Sequence, residues 1–169
     1  MRCALVFYAL LLALAGSSSA MAVDLDKLPK LNDVKNKSLL DNVNKRLRDQ
    51  QVKDGQFEFK TGKAEFAAGN EKRVNGLLKI LTENSKTLKT AFPNLYVTSE
   101  GHTDGDGSAD RNQMLSLARA RAVCHALKVK GMELSCKPIG VGSSKPLVSP
   151  EKTAADKQRN RRVLVQVAK

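Results

Sequence analysis

The sequence predicts an α/β or α+β sandwich in which helices pack on a sheet. Two segments carry apolar residues at helical spacing, and short apolar or alternating runs beside them end at turn residues. The order of these elements is β-α-β-α-β-β over about residues 56–169, and such an alternation favours helices on a sheet. With 169 residues, 41% of them apolar, the chain suits one ordinary domain and excludes a wholly disordered tail or a fibre.

The first residues have the pattern of a secretory signal peptide. Met1 and Arg2 form a short positive start, and an apolar run follows from Ala4 to Ala15. Small residues come next, so we expect cleavage after Ala20 or Ala22. A membrane anchor is the weaker alternative, because this run is about a dozen residues and a spanning helix needs ~20. We therefore expect residues 1–22 to be removed and the protein to be exported and soluble.

Residues 23–55 are predicted to form a linker and a short helix. The stretch from Val23 to Lys37 is polar and contains Pro29, as linkers often do. A capping-box-like start at Ser38 precedes apolar residues at helical spacing, and the predicted helix ends near Gln51. Its stripe consists of Leu39, Leu40, Val43 and Leu47.

The elements of the domain, residues 56–169, follow from alternation, capping and breaker residues. Gln56–Lys60 alternates and is the predicted first strand. Asn70 can cap a helix that ends before Pro93 and whose stripe is Val74, Leu77, Leu78 and Leu81. The remaining predicted elements are a strand at 95–101, a Gly- and Asp-rich loop at 102–110, a helix at 111–130 before Gly131, a strand at 135–141 and a last strand at 162–167.

Asp104 and Arg119 are the candidate binding pair. Asp104 follows the end of a strand, where side chains lie in the crevice above a sheet, and Arg119 is placed about one turn into the next helix. A guanidinium beside an apolar stripe needs an anion or water. One interpretation is an Asp104–Arg119 salt bridge without function. The other is a clamp on a zwitterion, with the carboxylate accepting from an ammonium and the guanidinium holding a carboxylate.

The motifs around this pair resemble those of the OmpA-like C-terminal domain, a peptidoglycan-associated module. The resemblance covers about Phe57 to Lys169. It is carried by Gly101-His-Thr-Asp-Gly105, Asn112, Leu115-Ser116, Arg119-Ala120, Ala122-Val123, Gly140-Val-Gly142 and Asn160-Arg-Arg-Val163. The fold it implies is α+β, with two main helices packed on a mixed sheet.

The resemblance also implies a ligand and a function. Asp104 and Arg119 would bind the α-amino and α-carboxylate groups of meso-diaminopimelate in the peptidoglycan stem peptide, in a pocket lined by Thr103, Asn112 and Leu115. Weaker candidates at its rim or beneath it are Phe59, Thr61, Asn160 and Arg161. The function implied is non-enzymatic binding of peptidoglycan by a periplasmic protein, peripheral at the outer membrane, that links an outer-membrane assembly to the cell wall.

Two other functions stay open. In the first, residues 23–55 dock on outer-membrane proteins or on a second copy, and the protein is a scaffold. The second is a wall hydrolase, for which the sequence offers no acid or metal set. We expect no metal and no cofactor: in the 104–110 loop Ala109 replaces the glycine that a calcium loop requires. The net charge of +12 points to an anionic partner, but nucleic acid is disfavoured because only 4% of residues are aromatic.

Cysteine content agrees with export. Cys3 would leave with the signal peptide, and Cys124 and Cys136 remain as an even pair in an oxidising compartment. A short connection at Gly131 can bring the two close enough for a disulfide. Two buried thiols are the alternative.

Overall fold

The computed structural model describes residues 31–60 and 62–169. The predicted signal peptide, the start of the predicted linker and Thr61 lie outside the described residues. Val34–Lys169 belong to one compact unit. No helix in the described part of the chain has the length and apolar character needed to cross a membrane.

The described residues form four helices and three strands. In chain order these are α1 (Leu31–Asp54), α2 (Asn70–Ala91), β1 (Tyr96–Gly101), α3 (Ala109–Val129), β2 (Ser135–Gly140), α4 (Ala154–Asn160) and β3 (Val163–Ala168). The predicted helices and strands after residue 69 are all present, with ends shifted by a few residues.

The three strands form a mixed sheet in the order β2-β1-β3. The central strand β1 runs parallel to β2 and antiparallel to β3, with Val97 opposite both Cys136 and Val167. Alternate residues of β1 and β3 are buried, including Val97 and Val165, which are fully enclosed. The sheet therefore buries one face against the helices, and the α+β fold class predicted from the sequence is confirmed.

Helix α3 lies closest to the sheet because two strands end in glycine. A Cβ atom on Gly101 would stand 2.1 Å from the carbonyl oxygen of Ser116, and one on Gly140 would stand 2.7 Å from the backbone nitrogen of Leu117. These two glycines are paired in the β1–β2 register. The close approach leaves no room for a side chain at either position, and it brings the loop after β1 against the first half of α3.

Helix α1 begins earlier than predicted and is part of the domain. It starts at Leu31 rather than Ser38, so residues 31–37 are helical and not linker. Val43 and Leu47 are buried in the core. The side-chain amide of Asn44 donates to the carbonyl of Val167 (2.9 Å) and accepts from its N–H (2.8 Å).

Gln51, two turns after Asn44 on α1, makes the same pair of hydrogen bonds with the backbone of Val165. Its amide donates to the carbonyl of Val165 at 3.1 Å and accepts from its N–H at 2.8 Å. Two side chains of α1 thus satisfy the outer backbone groups of β3, the groups that a further strand would otherwise pair.

The predicted first strand, Gln56–Lys60, is not formed. Only a single bridge joins Phe59 to Phe66. The backbone of Glu58 is held instead by Asn70, whose side-chain oxygen accepts from the Glu58 N–H at 3.0 Å and whose amide donates to the Glu58 carbonyl at 2.7 Å. Asn70 is therefore not the helix cap that the sequence predicted: Gly69 occupies the cap position of α2.

Helix α4 was not predicted, although its start has a capping box. Thr153 and Asp156 each accept a hydrogen bond from the other's backbone N–H. No element was predicted between the strands at 135–141 and 162–167, because the seven residues of α4 carry too little apolar periodicity to indicate a helix.

A disulfide joins α3 to β2. Cys124 and Cys136 are bonded, with their Cα atoms 5.8 Å apart. This agrees with the pairing expected from the sequence. The bond ties the second half of α3 to the edge of the sheet.

Candidate functional site

A cavity of about 590 Å³ lies between the loop after β1, the first half of α3, the segment around Phe59 and the end of α4. Most of the residues predicted for the site line it. They are Phe59, Thr103, Asp104, Asn112, Leu115, Arg119 and Arg161. Asn160 does not line the cavity, and Thr61 lies outside the described residues. We call this cavity the cleft.

Asp104 is held in the wall of the cleft by its loop. Asn112 on α3 is buried, and its amide donates to the carbonyls of Asp104 (3.3 Å) and Asp106 (3.0 Å). The Asp104 side chain is only 12% exposed. The Asp104 loop is thereby held against α3.

The partner of Asp104 in this structure is Arg161, not Arg119. Nη1 of Arg161 donates to Oδ2 of Asp104 at 2.6 Å. Among the described residues, no ion pair joins Asp104 to Arg119, so the simple salt bridge considered from the sequence is wrong. Arg119 is nevertheless close enough to interact with the Asp104 charge, which partly opposes the lowering of the Arg119 pKa by burial and by Arg161.

Arg119 lies deeper in α3 than predicted. It is ten residues after Ala109, close to three turns into the helix. The prediction of about one turn was wrong, since even a start at residue 111 places Arg119 more than two turns in, and Ser108 caps α3 two residues earlier still. The residue is 5% exposed, and its Nε donates to the carbonyl of Lys63 at 3.1 Å. The guanidinium carbon stands 5.0 Å from the centre of the Phe59 ring, within cation–π range.

The positive charge on Arg119 is destabilised by its surroundings in the free protein. Burial lowers its pKa, the nearby Arg161 lowers it further, and Asp104 opposes both. Arginine nevertheless stays protonated at neutral pH. A carboxylate entering the cleft would relieve this cost, since it would meet a guanidinium already separated from water.

Arg161 is oriented by the end of α4. Its Nε and Nη2 donate to the side-chain oxygen of Gln158 at 3.2 and 2.6 Å. Helix α4 is in turn held beside the 104–107 loop, because Lys157 donates to both carboxylate oxygens of Asp106 at 2.7 and 2.8 Å. Gln158 and Lys157 were not predicted from the sequence, although the capping box at Thr153 could have placed them on a helix.

Asn160 has a structural position beneath the 147–151 segment. It is fully buried, and its side-chain oxygen accepts from the N–H groups of Leu147 (2.7 Å) and Val148 (3.0 Å). Its amide donates to the carbonyl of Val148 and to the carboxylate of Glu151. These bonds hold the segment that leads into α4.

In the described part of the chain, no three His, Cys, Asp or Glu side chains lie close enough together to bind a metal ion. His102 follows β1 and is buried, whereas His125 is exposed on α3. Asp104 is the one buried carboxylate in the lining of the cleft, whose other polar side chains are the exposed carboxylates of Glu58 and Asp106, guanidiniums, amides and the Thr103 hydroxyl. Such a set can bind a charged ligand by hydrogen bonds and ion pairs.

The fold and the cleft define an α+β domain with a polar cavity of ligand size beside a mixed sheet. The OmpA family model matches residues 58–161, which is more than half of the chain. The chain belongs to the OmpA family.

Two relatives and one solved structure illustrate the similarity. The outer-membrane lipoprotein YfiB of Pseudomonas aeruginosa is 32% identical over 117 residues, which cover 64% of this chain and 69% of that protein. The probable lipoprotein YiaD of Escherichia coli is 31% identical over 106 residues, covering 62% of this chain and only 44% of YiaD. The C-terminal domain of Helicobacter pylori MotB has a TM-score of 0.56 at 18% identity, with 68% and 84% of the chains covered, which shows a shared fold.

Proposed function

We propose that this protein binds peptidoglycan without cleaving it, by holding the meso-diaminopimelate of a stem peptide in the cleft. The observation that carries the proposal is the presence of Asp104 and Arg119, both nearly buried, in the lining of one cavity. The free end of diaminopimelate carries an ammonium and a carboxylate on one carbon. A carboxylate and a guanidinium in a partly dehydrated cleft complement that pair of charges. Membership in the OmpA family supports the same ligand class.

The ligand ammonium would replace Arg161 at Asp104. The Arg161 side chain is 36% exposed and already bonded to Gln158, so it can leave Asp104 and stay solvated. Arg119 cannot leave in this way, since it is buried and held by the Lys63 carbonyl. Arg161 therefore neutralises Asp104 in the free protein, and Arg119 is the fixed carboxylate site.

The same proposal includes the compartment. An exported protein with this cleft would meet peptidoglycan in the periplasm, and one relative is named as an outer-membrane lipoprotein. The alternative scaffold function depended on the apolar stripe of α1. That stripe packs against the protein's own core, with Val43 and Leu47 enclosed and Leu39 and Leu40 partly buried, which favours the wall-binding function.

Sedimentation with purified sacculi tests the proposal. We expect the full chain to pellet with sacculi, and free meso-diaminopimelate to compete. Asp104→Ala and Arg119→Ala should each weaken binding about 30-fold or more, because losing one partner of a desolvated charge pair costs ~2–5 kcal/mol. Arg119→Lys should also fail, since an ammonium cannot make two parallel hydrogen bonds to a carboxylate.

Arg121→Ala is the matched control, because Arg121 is exposed on the same helix and does not line the cleft. It should pellet like the unchanged protein. Wild-type pelleting by either cleft variant would contradict the proposed clamp, and release of soluble muropeptides from the sacculi would contradict a purely binding function.

A further inference from the structure

The carboxylates that line the cleft are all paired within the protein. Asp104 accepts from Arg161 at 2.6 Å, and Asp106 accepts from Lys157 at 2.7 Å. Glu58 accepts from Arg73, also at 2.7 Å. Each pair leaves little net charge in its part of the wall.

Two arginines in the lining have no such partner among the described residues. Arg119 is one, and Arg111 in the first turn of α3 is the other. The ion pairs formed within residues 31–60 and 62–169 include no carboxylate within 4.0 Å of either guanidinium. The free cleft therefore holds two positive charges that the described part of the protein does not neutralise.

The two guanidiniums both approach the same short stretch of backbone, at residues 62 and 63. Arg119 donates to the carbonyl of Lys63, and Nη2 of Arg111 lies 3.8 Å from the point where a Cβ of the preceding Gly62 would stand. Arg111 is exposed, whereas Arg119 is buried. One charge thus lies deep in the cleft and the other at its mouth, two turns apart on α3.

We propose that Arg111 is a second carboxylate subsite, which holds a carboxylate of the stem peptide other than the one bound by Arg119. This inference rests on the proposed function. A stem peptide offers two further carboxylates close to the free end of diaminopimelate: the main-chain carboxylate of that residue when it ends the peptide, and the α-carboxylate of the γ-linked glutamate. A ligand with two carboxylates neutralises both arginines, and a guanidinium suits this group because it can bind both oxygens.

Calorimetric titration of the full chain with three synthetic stem tripeptides tests the subsite. One peptide has all carboxylates free, the second has the main-chain carboxylate of diaminopimelate amidated, and the third has the glutamate α-carboxylate amidated. We expect one of the two amides to bind the unchanged protein about fivefold more weakly than the free peptide, as for a partly exposed ion pair. The amide that loses affinity identifies the carboxylate.

Arg111→Gln should bind the free peptide about fivefold more weakly and should no longer distinguish it from that amide. Arg121→Gln, a charge loss on the same helix outside the cleft, should keep the full discrimination. Equal affinity of all three peptides for the unchanged protein, or unaltered discrimination by Arg111→Gln, would overturn the second subsite while leaving the Asp104–Arg119 clamp in place. If none of the peptides binds, the proposed function fails and this inference fails with it.

Discussion

His102 is 1% exposed directly after β1, and neither ring nitrogen has a hydrogen-bond partner in the described part of the chain. Its Nε2 lies 3.2 Å from a carboxylate oxygen of Glu100, but the two groups are not aligned for a hydrogen bond. Burial lowers the pKa of His102 to about 4, and the nearby Arg162 contributes in the same direction. The imidazole is therefore neutral in the folded protein at pH values where it would be protonated in the unfolded chain.

Acid should destabilise the protein through His102. Above pH 6.5 the ring is neutral in both states, and as the pH falls towards 4 only the unfolded chain takes up the proton. The free energy of unfolding should therefore decrease by up to about 3 kcal/mol across this window from His102 alone. Urea denaturation at pH 7 and pH 4.5 measures the decrease.

The comparison variant for this pH dependence is His102→Gln, which cannot be protonated. It should lose less stability between the two pH values than the unchanged protein, whatever its stability at pH 7. His125→Gln, at an exposed position, should keep the original pH dependence. An identical acid-induced loss in His102→Gln would show that the carboxylates, and not His102, determine it.

At the scale of elements, the contact between α1 and β3 depends on Asn44 and Gln51. Asn44→Ala and Gln51→Ala should each lower the free energy of unfolding by about 1–3 kcal/mol, because each leaves one N–H and one carbonyl of β3 without a partner. Hydrogen exchange at Val165 and Val167 should accelerate at the residue whose amide was removed. Asn42→Ala, at an exposed position of α1, is the control and should change neither measurement.

The prediction links each variant to exchange at one residue of β3: Asn44→Ala to Val167 and Gln51→Ala to Val165. If Gln51→Ala accelerated exchange equally at Val165 and Val167, α1 would be detaching as a whole, and the individual amide contacts would not be what holds it. Unchanged exchange in both variants would show that packing of Val43 and Leu47 alone secures the helix.

Local patterns predicted the elements whose periodicity is determined by their own residues. Helices α2 and α3 and the three strands followed from apolar spacing and from breakers such as Pro93 and Gly131. The alternation at Gln56–Lys60 was misleading, because its backbone bonds go to Asn70 and to the following turn, contacts that no local pattern reveals. The same holds for the cleft. The motifs predicted that Asp104 and Arg119 would lie at one crevice, and both line the cleft, whereas the pairing of Asp104 with Arg161 requires the position of α4.

For the whole molecule, the Cys124–Cys136 disulfide should contribute to stability without contributing to binding. The bonded residues are separated by 12 positions, and closing a loop of this size is worth ~3 kcal/mol in the chain-entropy model. The double variant Cys124→Ser/Cys136→Ser should unfold at lower urea concentration by about that free energy. Its affinity for sacculi should equal that of the unchanged protein, because neither cysteine lines the cleft.

Thiol counting on denatured, unreduced protein gives an independent measurement. The described pair should contribute no free thiol before reduction and two afterwards. Free thiols at both positions before reduction, or a variant as stable as the unchanged protein, would contradict a stabilising disulfide.

The two outer strands of the sheet have a consequence for solubility. Exposed strand edges are templates on which other chains can add and aggregate. The β3 edge is covered by amides of α1, and the opposite strand, β2, contains Pro138, which has no N–H to offer, beside the charged Lys137. Both edges are therefore poor templates for strand addition, so the protein can accumulate to high local concentration beside its polymeric partner without forming intermolecular sheets.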